Sequence, residues 1–132
     1  SAMEIVQPDS WARPQGYSNG IAAEGRFLFV AGQIGWDAQQ NLVGVDFIDQ
    51  LRQALLNIRA VLEAAAVGPE ALVRLTWYVT DIGDYRARVA EVGTVYREVL
   101  GKVFPAMAVV AVSELVEPGA KIEIEATAVL PR

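Results

Sequence analysis

Between Phe47 and about Ala66 the apolar residues Phe47, Leu51, Leu55, Ile58, Leu62 and Ala65 recur at spacings of three and four. That period puts them on one stripe of an amphipathic helix, which must be buried against another element. The flanking runs indicate a sheet. Leu72 to Thr80 is rich in β-branched and aromatic residues, the composition of a strand. Upstream, Gly20 to Ala23, then Glu24-Gly25, then the run from Arg26 to Ile34 predict a β-hairpin. In its second strand Phe27, Phe29 and Ala31 point one way and Leu28, Val30 and Gly32 the other, so both faces are apolar.

A second helix is expected from Asp81 or Ile82, where Thr80, Asp81 and Asp84 supply oxygens to the first turn. It would bury Tyr85, Val89, Val92, Tyr96 and Val99 and stop at Gly101. Two more strands follow, Ala106 to about Glu114 and Lys121 to Leu130, split by Glu117-Pro118-Gly119. The order ββαβαβ plus a final strand predicts an α+β fold. It would be a two-layer sandwich, a mixed β-sheet with two helices on one face. In the last strand Ile122, Ile124 and Ala126 alternate with Lys121, Glu123, Glu125 and Thr127, one apolar side and one polar. Phe27, Phe29, Trp77 and Val79, or their neighbours, would leave apolar groups on whichever side the helices do not cover. A patch of that kind on a small domain usually meets another subunit.

With 132 residues and 53% hydrophobic content, the chain suits one compact domain, residues 4–132. Ser1 and Ala2 ahead of Met3 have the look of a cleavage scar, with Met3 the natural start. A formal charge of -5 argues against nucleic acid as a partner, since non-specific binding to phosphate backbones is cationic. No apolar run approaches the roughly 20 residues of a membrane helix, and a soluble, cytoplasmic protein is expected. The chain has neither cysteine nor histidine. Thiol nucleophiles, Cys/His zinc sites and Ser/His/Asp triads are therefore excluded, and acid/base work falls to carboxylates, tyrosines or lysines. Asp46, Asp49, Asp81 and Asp84 sit at helix starts, where capping accounts for them. With no metal cage and no phosphate loop in the pattern, no metal or cofactor is expected.

Several short motifs occur in a recognisable order: Pro14-Gln15-Gly16-Tyr17, the run Phe29 to Ile34 with Ala31-Gly32-Gln33, the Pro105-Ala106 step, and Ile122-Glu123-Ile124-Glu125. At these spacings the chain resembles, over nearly its whole length, the RidA/YjgF family of small proteins associated with hydrolysis of reactive imines and enamines. The resemblance implies a chorismate-mutase-like homotrimer with a small-molecule cleft at each subunit boundary. It also implies that Glu123 holds and orients the attacking water. Read alone, Glu123 is equally a solvated strand carboxylate or a partner for Lys121 or Arg26. Tyr17 matches a tyrosine of the family cleft, or serves as an aromatic anchor. Gly32 matches a glycine that lets a ligand approach the backbone, or marks a β-bulge.

The family's deaminases carry an arginine two residues after the proline, where it grips a substrate carboxylate; this chain carries Met107. A thioether offers no cationic donor, and a charge-assisted contact worth roughly 1.5 to 3 kcal/mol is forfeited at that point. The substrate is then expected to be uncharged at its end nearest Met107, or larger and more apolar than a simple imino acid. Arg13, Arg26, Arg88 and Lys102 are the basic residues weighed as substitutes. Tyr85, Val109 and Trp36 complete the candidate binding set, and Trp77 is a further aromatic candidate for the cleft, read more readily as core. Gly93 stands on the second helix where several relatives carry an amide. Two functions stay open: an imine or enamine hydrolase with an altered substrate, and a trimer that binds a metabolite without turnover.

Overall fold

The computed structural model describes residues 3–131, so the expectation for Ser1 and Ala2 lies outside the described residues. Strands β1 (Met3–Val6) and β2 (Gly20–Ala23) come first, then β3 (Arg26–Ile34) and helix α1 (Phe47–Ala64). After a short 3-10 turn at Pro69–Ala71 come β4 (Leu72–Val79), helices α2 (Ile82–Ala87) and α3 (Val89–Leu100), β5 (Ala106–Ala111) and β6 (Ile122–Leu130). The main sheet has the order β3-β6-β4-β5. Strand β6 runs antiparallel to both neighbours, while β4 and β5 are parallel and joined through α2 and α3. The expected mixed sheet with helices on one face is the observed architecture.

The predicted stripe forms the core. Leu51, Leu55, Ile58 and Leu62 of α1 are fully buried, as are Leu75, Val79, Ile122 and Ile124 of the sheet beneath them. Each such side chain contributes on the order of 1.5 to 3 kcal/mol by leaving water. Asp46 caps α1 by accepting from the Ile48 and Asp49 amides, and Asp81 caps α2 by accepting from Asp84. Gln50 is a buried polar residue within α1. It donates to the Gly44 and Gly119 carbonyls and accepts from the Lys121 amide, which fixes two loops against the helix.

Three expectations are corrected. The hairpin between Gly20–Ala23 and Arg26–Ile34 does not form: β2 pairs with β1, and β3 pairs with β6. Gly25, at φ 145°, redirects the chain, and a Cβ there would collide with the Leu130 carbonyl, so β3 starts hard against the end of β6. The second helix is two. Arg88, at φ -115° and ψ 23°, interrupts it while its guanidinium reaches Asp46 and Glu91, both at 3.0 Å. The interruption turns Val89 outward to 55% exposure and leaves Tyr85 half-buried, where both were expected in the core. Strand β5 ends at Ala111 rather than near Glu114.

The sheet face away from the helices carries Phe27 and Phe29 at 63% and 74% exposure, packed edge to face with each other. No helix among the described residues is long and apolar enough to cross a membrane. No group of acidic side chains among the described residues could hold a metal ion.

Candidate functional site

Strand register decides which candidates meet. Leu75 and Trp77 of β4 stand beside Met107 and Val109 of β5, and Tyr78 stands beside Glu123 of β6. Leu75 and Trp77 are buried toward the helices, so Met107 and Val109 share that face. Tyr78 and Glu123 point the other way, because side chains alternate along a strand. One sheet therefore separates the sequence candidates into two groups.

On the helix face, Tyr17, Tyr85, Met107 and Val109 line a single open cavity of about 260 Å³. Tyr17 reaches it because Ser18 ties the preceding loop to β5. The Ser18 amide donates to the Pro105 carbonyl at 3.2 Å and its hydroxyl to the Phe104 carbonyl at 2.5 Å. Gly16 makes that turn at φ 80°. The cavity wall is aromatic. Trp77 stacks on Tyr96 with ring centroids 6.1 Å apart and meets Tyr85 edge-on at 6.4 Å. Burial holds the Tyr85 and Tyr96 phenols above their ordinary pKa, so both are neutral hydroxyls at pH 7. The Tyr96 hydroxyl donates to the Val103 carbonyl at 2.7 Å. Trp77 is 2% exposed, and its indole N–H has no acceptor.

On the opposite face Glu123 is half-buried, and its carboxylate lies over Gly32. A Cβ built on Gly32 would stand 2.7 Å from Glu123 Cδ, closer than real carbon contacts allow. The register of β3 against β6 also shifts between Val30 and Gln33, so Gly32 lies in a β-bulge. Neither Lys121 nor Arg26 pairs with Glu123, and among the described residues its carboxylate makes no hydrogen bond or ion pair. The neighbouring Glu125 instead accepts from the Tyr78 hydroxyl at 2.6 Å, and that bond raises the Tyr78 pKa.

Trp36 belongs to neither group. It bridges Leu42, its carbonyl accepts from Asn57 at 2.9 Å, and it does not line the cavity that it was expected to rim. Trp77, an aromatic candidate for the cleft read more readily as core, also stands in the wall, and Arg97 of α3 and Tyr96 are wall residues that the sequence reading did not name for the site. A signal for Arg97 existed in Gly93, four residues earlier. An interior helical glycine costs about 1 kcal/mol relative to alanine and needs a reason.

The model of the family described as endoribonuclease L-PSP matches residues 9–130. A RutC family protein of Pyrococcus horikoshii is 40% identical over 127 residues, covering 95% of this chain and 96% of the relative. A 2-iminobutanoate/2-iminopropanoate deaminase of Capra hircus is 35% identical over 114 residues, covering 86% and 79%. The crystal structure of YyfB from Yersinia pestis, a protein of unknown function in the conserved Rid family, superposes with a TM-score of 0.88 at 32% identity, covering 98% of this chain and all of that one. A family match over nearly the whole length, together with that superposition, means that the chain belongs to the endoribonuclease L-PSP family, the RidA/YjgF group that its motifs resemble.

Proposed function

We propose that copies of this chain assemble as a homotrimer with a small-molecule cleft at each boundary, and that the cleft hydrolyses an imine or enamine. The observation that carries this is the Glu123 carboxylate, half-buried and unpaired over Gly32 on a sheet face that also bears exposed Phe27 and Phe29. An assembly that covers those aromatics would seat Glu123 at a boundary, against the Met107 cavity of a second copy. There the carboxylate takes a proton from water as the oxygen attacks the iminium carbon and passes it to the nitrogen; it then takes the hydroxyl proton as the carbonyl forms, the C–N bond breaks and ammonia leaves. The relative from Capra hircus, a deaminase of small 2-imino acids, supports this class of reaction. Met107 in the cavity wall points to a different substrate from the small imino acids named for that relative.

The test is ammonia release from imines generated from several amino acids. Wild type should accelerate release from at least one of them, and Glu123→Ala should lower that rate by about 100-fold, the contribution typical of a positioned acid/base group. Acceleration that survives Glu123→Ala would overturn the assignment. The alternative, a trimer that binds a metabolite without turnover, draws on the same Met107 substitution. Saturable binding with no imine hydrolysed would favour it.

A further inference from the structure

The Met107 cavity retains a cation, supplied from a different element. Arg97 of α3 forms part of its wall together with Gly93, Trp77, Tyr85 and Met107. A Cβ built on Gly93 would stand 3.2 Å from Arg97 Nη1, so the guanidinium lies along the bare backbone of that glycine. A side chain at 93 would compete for that space. The ion pairs among the described residues involve Arg52 and Arg88, and the Arg97 guanidinium makes no hydrogen bond or ion pair. No aspartate or glutamate lines the cavity. Apart from Gln15, the rest of the wall is apolar or aromatic. A single unpaired guanidinium and an aromatic wall suit one ligand chemistry: a small monocarboxylate whose body is aromatic or branched and apolar.

We propose that Arg97, accommodated by Gly93, is the carboxylate-binding residue of this chain, and that the site selects acids with an aromatic or branched side chain over short ones. Held from α3 instead of β5, the carboxylate sits across the cavity from Met107. The thioether then packs against the apolar body of the ligand, a contact for which its flexibility suits it. This inference rests on the proposed cleft but not on turnover, so it is tested by binding.

Isothermal titration calorimetry on the purified chain, with 3-phenylpropanoate, 3-phenylpropanamide and propanoate as probes, reads it directly. The aromatic acid should bind about tenfold or more tighter than its neutral amide, a charge-assisted contact discounted for the exposure of Arg97, and about tenfold or more tighter than propanoate, which lacks the apolar ring to bury. Arg97→Gln should close the gap between acid and amide while leaving amide affinity unchanged. Gly93→Gln, which crowds the guanidinium without removing it, should narrow the gap too. Equal binding of acid and amide to wild type, a gap that survives Arg97→Gln, or no binding of either probe would overturn the proposal. Arg97-dependent binding in a protein that hydrolyses no imine would remove the enzymatic reading alone. Imine hydrolysis that depends on Glu123 but is indifferent to Arg97→Gln would remove this one alone.

Discussion

Met107 and Glu123 lie on opposite faces of one sheet: Met107 stands beside Leu75, Glu123 beside Tyr78, and those two β4 residues point in opposite directions. A single copy therefore cannot present both residues to one ligand. A shared cleft requires the Glu123 face of one copy against the Met107 face of another, and that requirement makes assembly testable through the exposed aromatics beside Glu123.

Phe29→Asp should convert an assembled species to monomer. The Phe29 ring is 74% exposed in the isolated chain and supports no core contact, so the fold of the protomer should survive. In an interface the same substitution buries an unpaired carboxylate, a penalty of several kcal/mol per copy. Sedimentation velocity checks it: wild type should sediment as a trimer and the variant as a folded monomer by circular dichroism.

Gly32→Ala should be destabilising for a reason removed by a second substitution. Its Cβ would collide with the Glu123 side chain, which must rotate aside at a cost of about 1 kcal/mol. In the double variant Gly32→Ala/Glu123→Ala the colliding group is gone, and most of that loss should return. Urea unfolding of the four species gives the coupling energy, expected at about 1 kcal/mol.

Much of the architecture could be read before the structure, and the reasons for success and failure are physical. The α1 stripe and the alternation in β6 were legible because burial on one side imposes a period on the sequence. The pairing of β3 was not, since strand partners are chosen by long-range packing, and only Gly25 against the Leu130 carbonyl hints that β3 belongs with β6. The interruption at Arg88 was hidden because it coincides with an ion pair to Asp46, 42 positions away in the chain. Of the candidate site, Tyr17, Tyr85, Met107 and Val109 line one cavity. Trp36 does not, because a residue after a strand end goes where its loop goes. Arg97 escaped because its approach to Gly93 is a matter of helical spacing rather than of motif.

The same Arg88–Asp46 pair predicts an acid-side loss of stability. The Arg88 guanidinium beside Asp46 holds its carboxyl below the ordinary value, with help from the Asp49 and Ile48 amides. Because the folded-state pKa is lower than the unfolded one, the stabilisation is fully present above about pH 4 and disappears as pH falls through the depressed folded value. Asp46→Asn should flatten the fall in melting temperature on that acid side while retaining a capping oxygen. Asp46→Ala should lose the cap as well, about 1 kcal/mol at pH 7. Thermal melts from pH 7 to pH 2 distinguish the two.

Moving the cation from α3 to β5 should reverse the preference of the cavity. In Met107→Arg/Arg97→Met a guanidinium would project from β5 beside Leu75, and the thioether would lie along Gly93, with net charge and wall composition conserved. The carboxylate of a ligand would then be drawn across the cavity, where the space left for its side chain lies between β5 and the Trp77–Tyr96 stack. Propanoate should gain about tenfold in affinity over wild type and 3-phenylpropanoate should lose a similar factor, the scale of one charge-assisted contact made or broken. Ammonia release from small 2-imino acids should rise in parallel, both in the exchanged protein and in Met107→Arg alone, because position 107 is where the family's deaminases hold their arginine. Competition calorimetry with the two acids, run beside the imine assay, reads both effects. Unchanged selectivity in the exchanged protein would mean that wall shape, rather than the position of the cation, sets the preference.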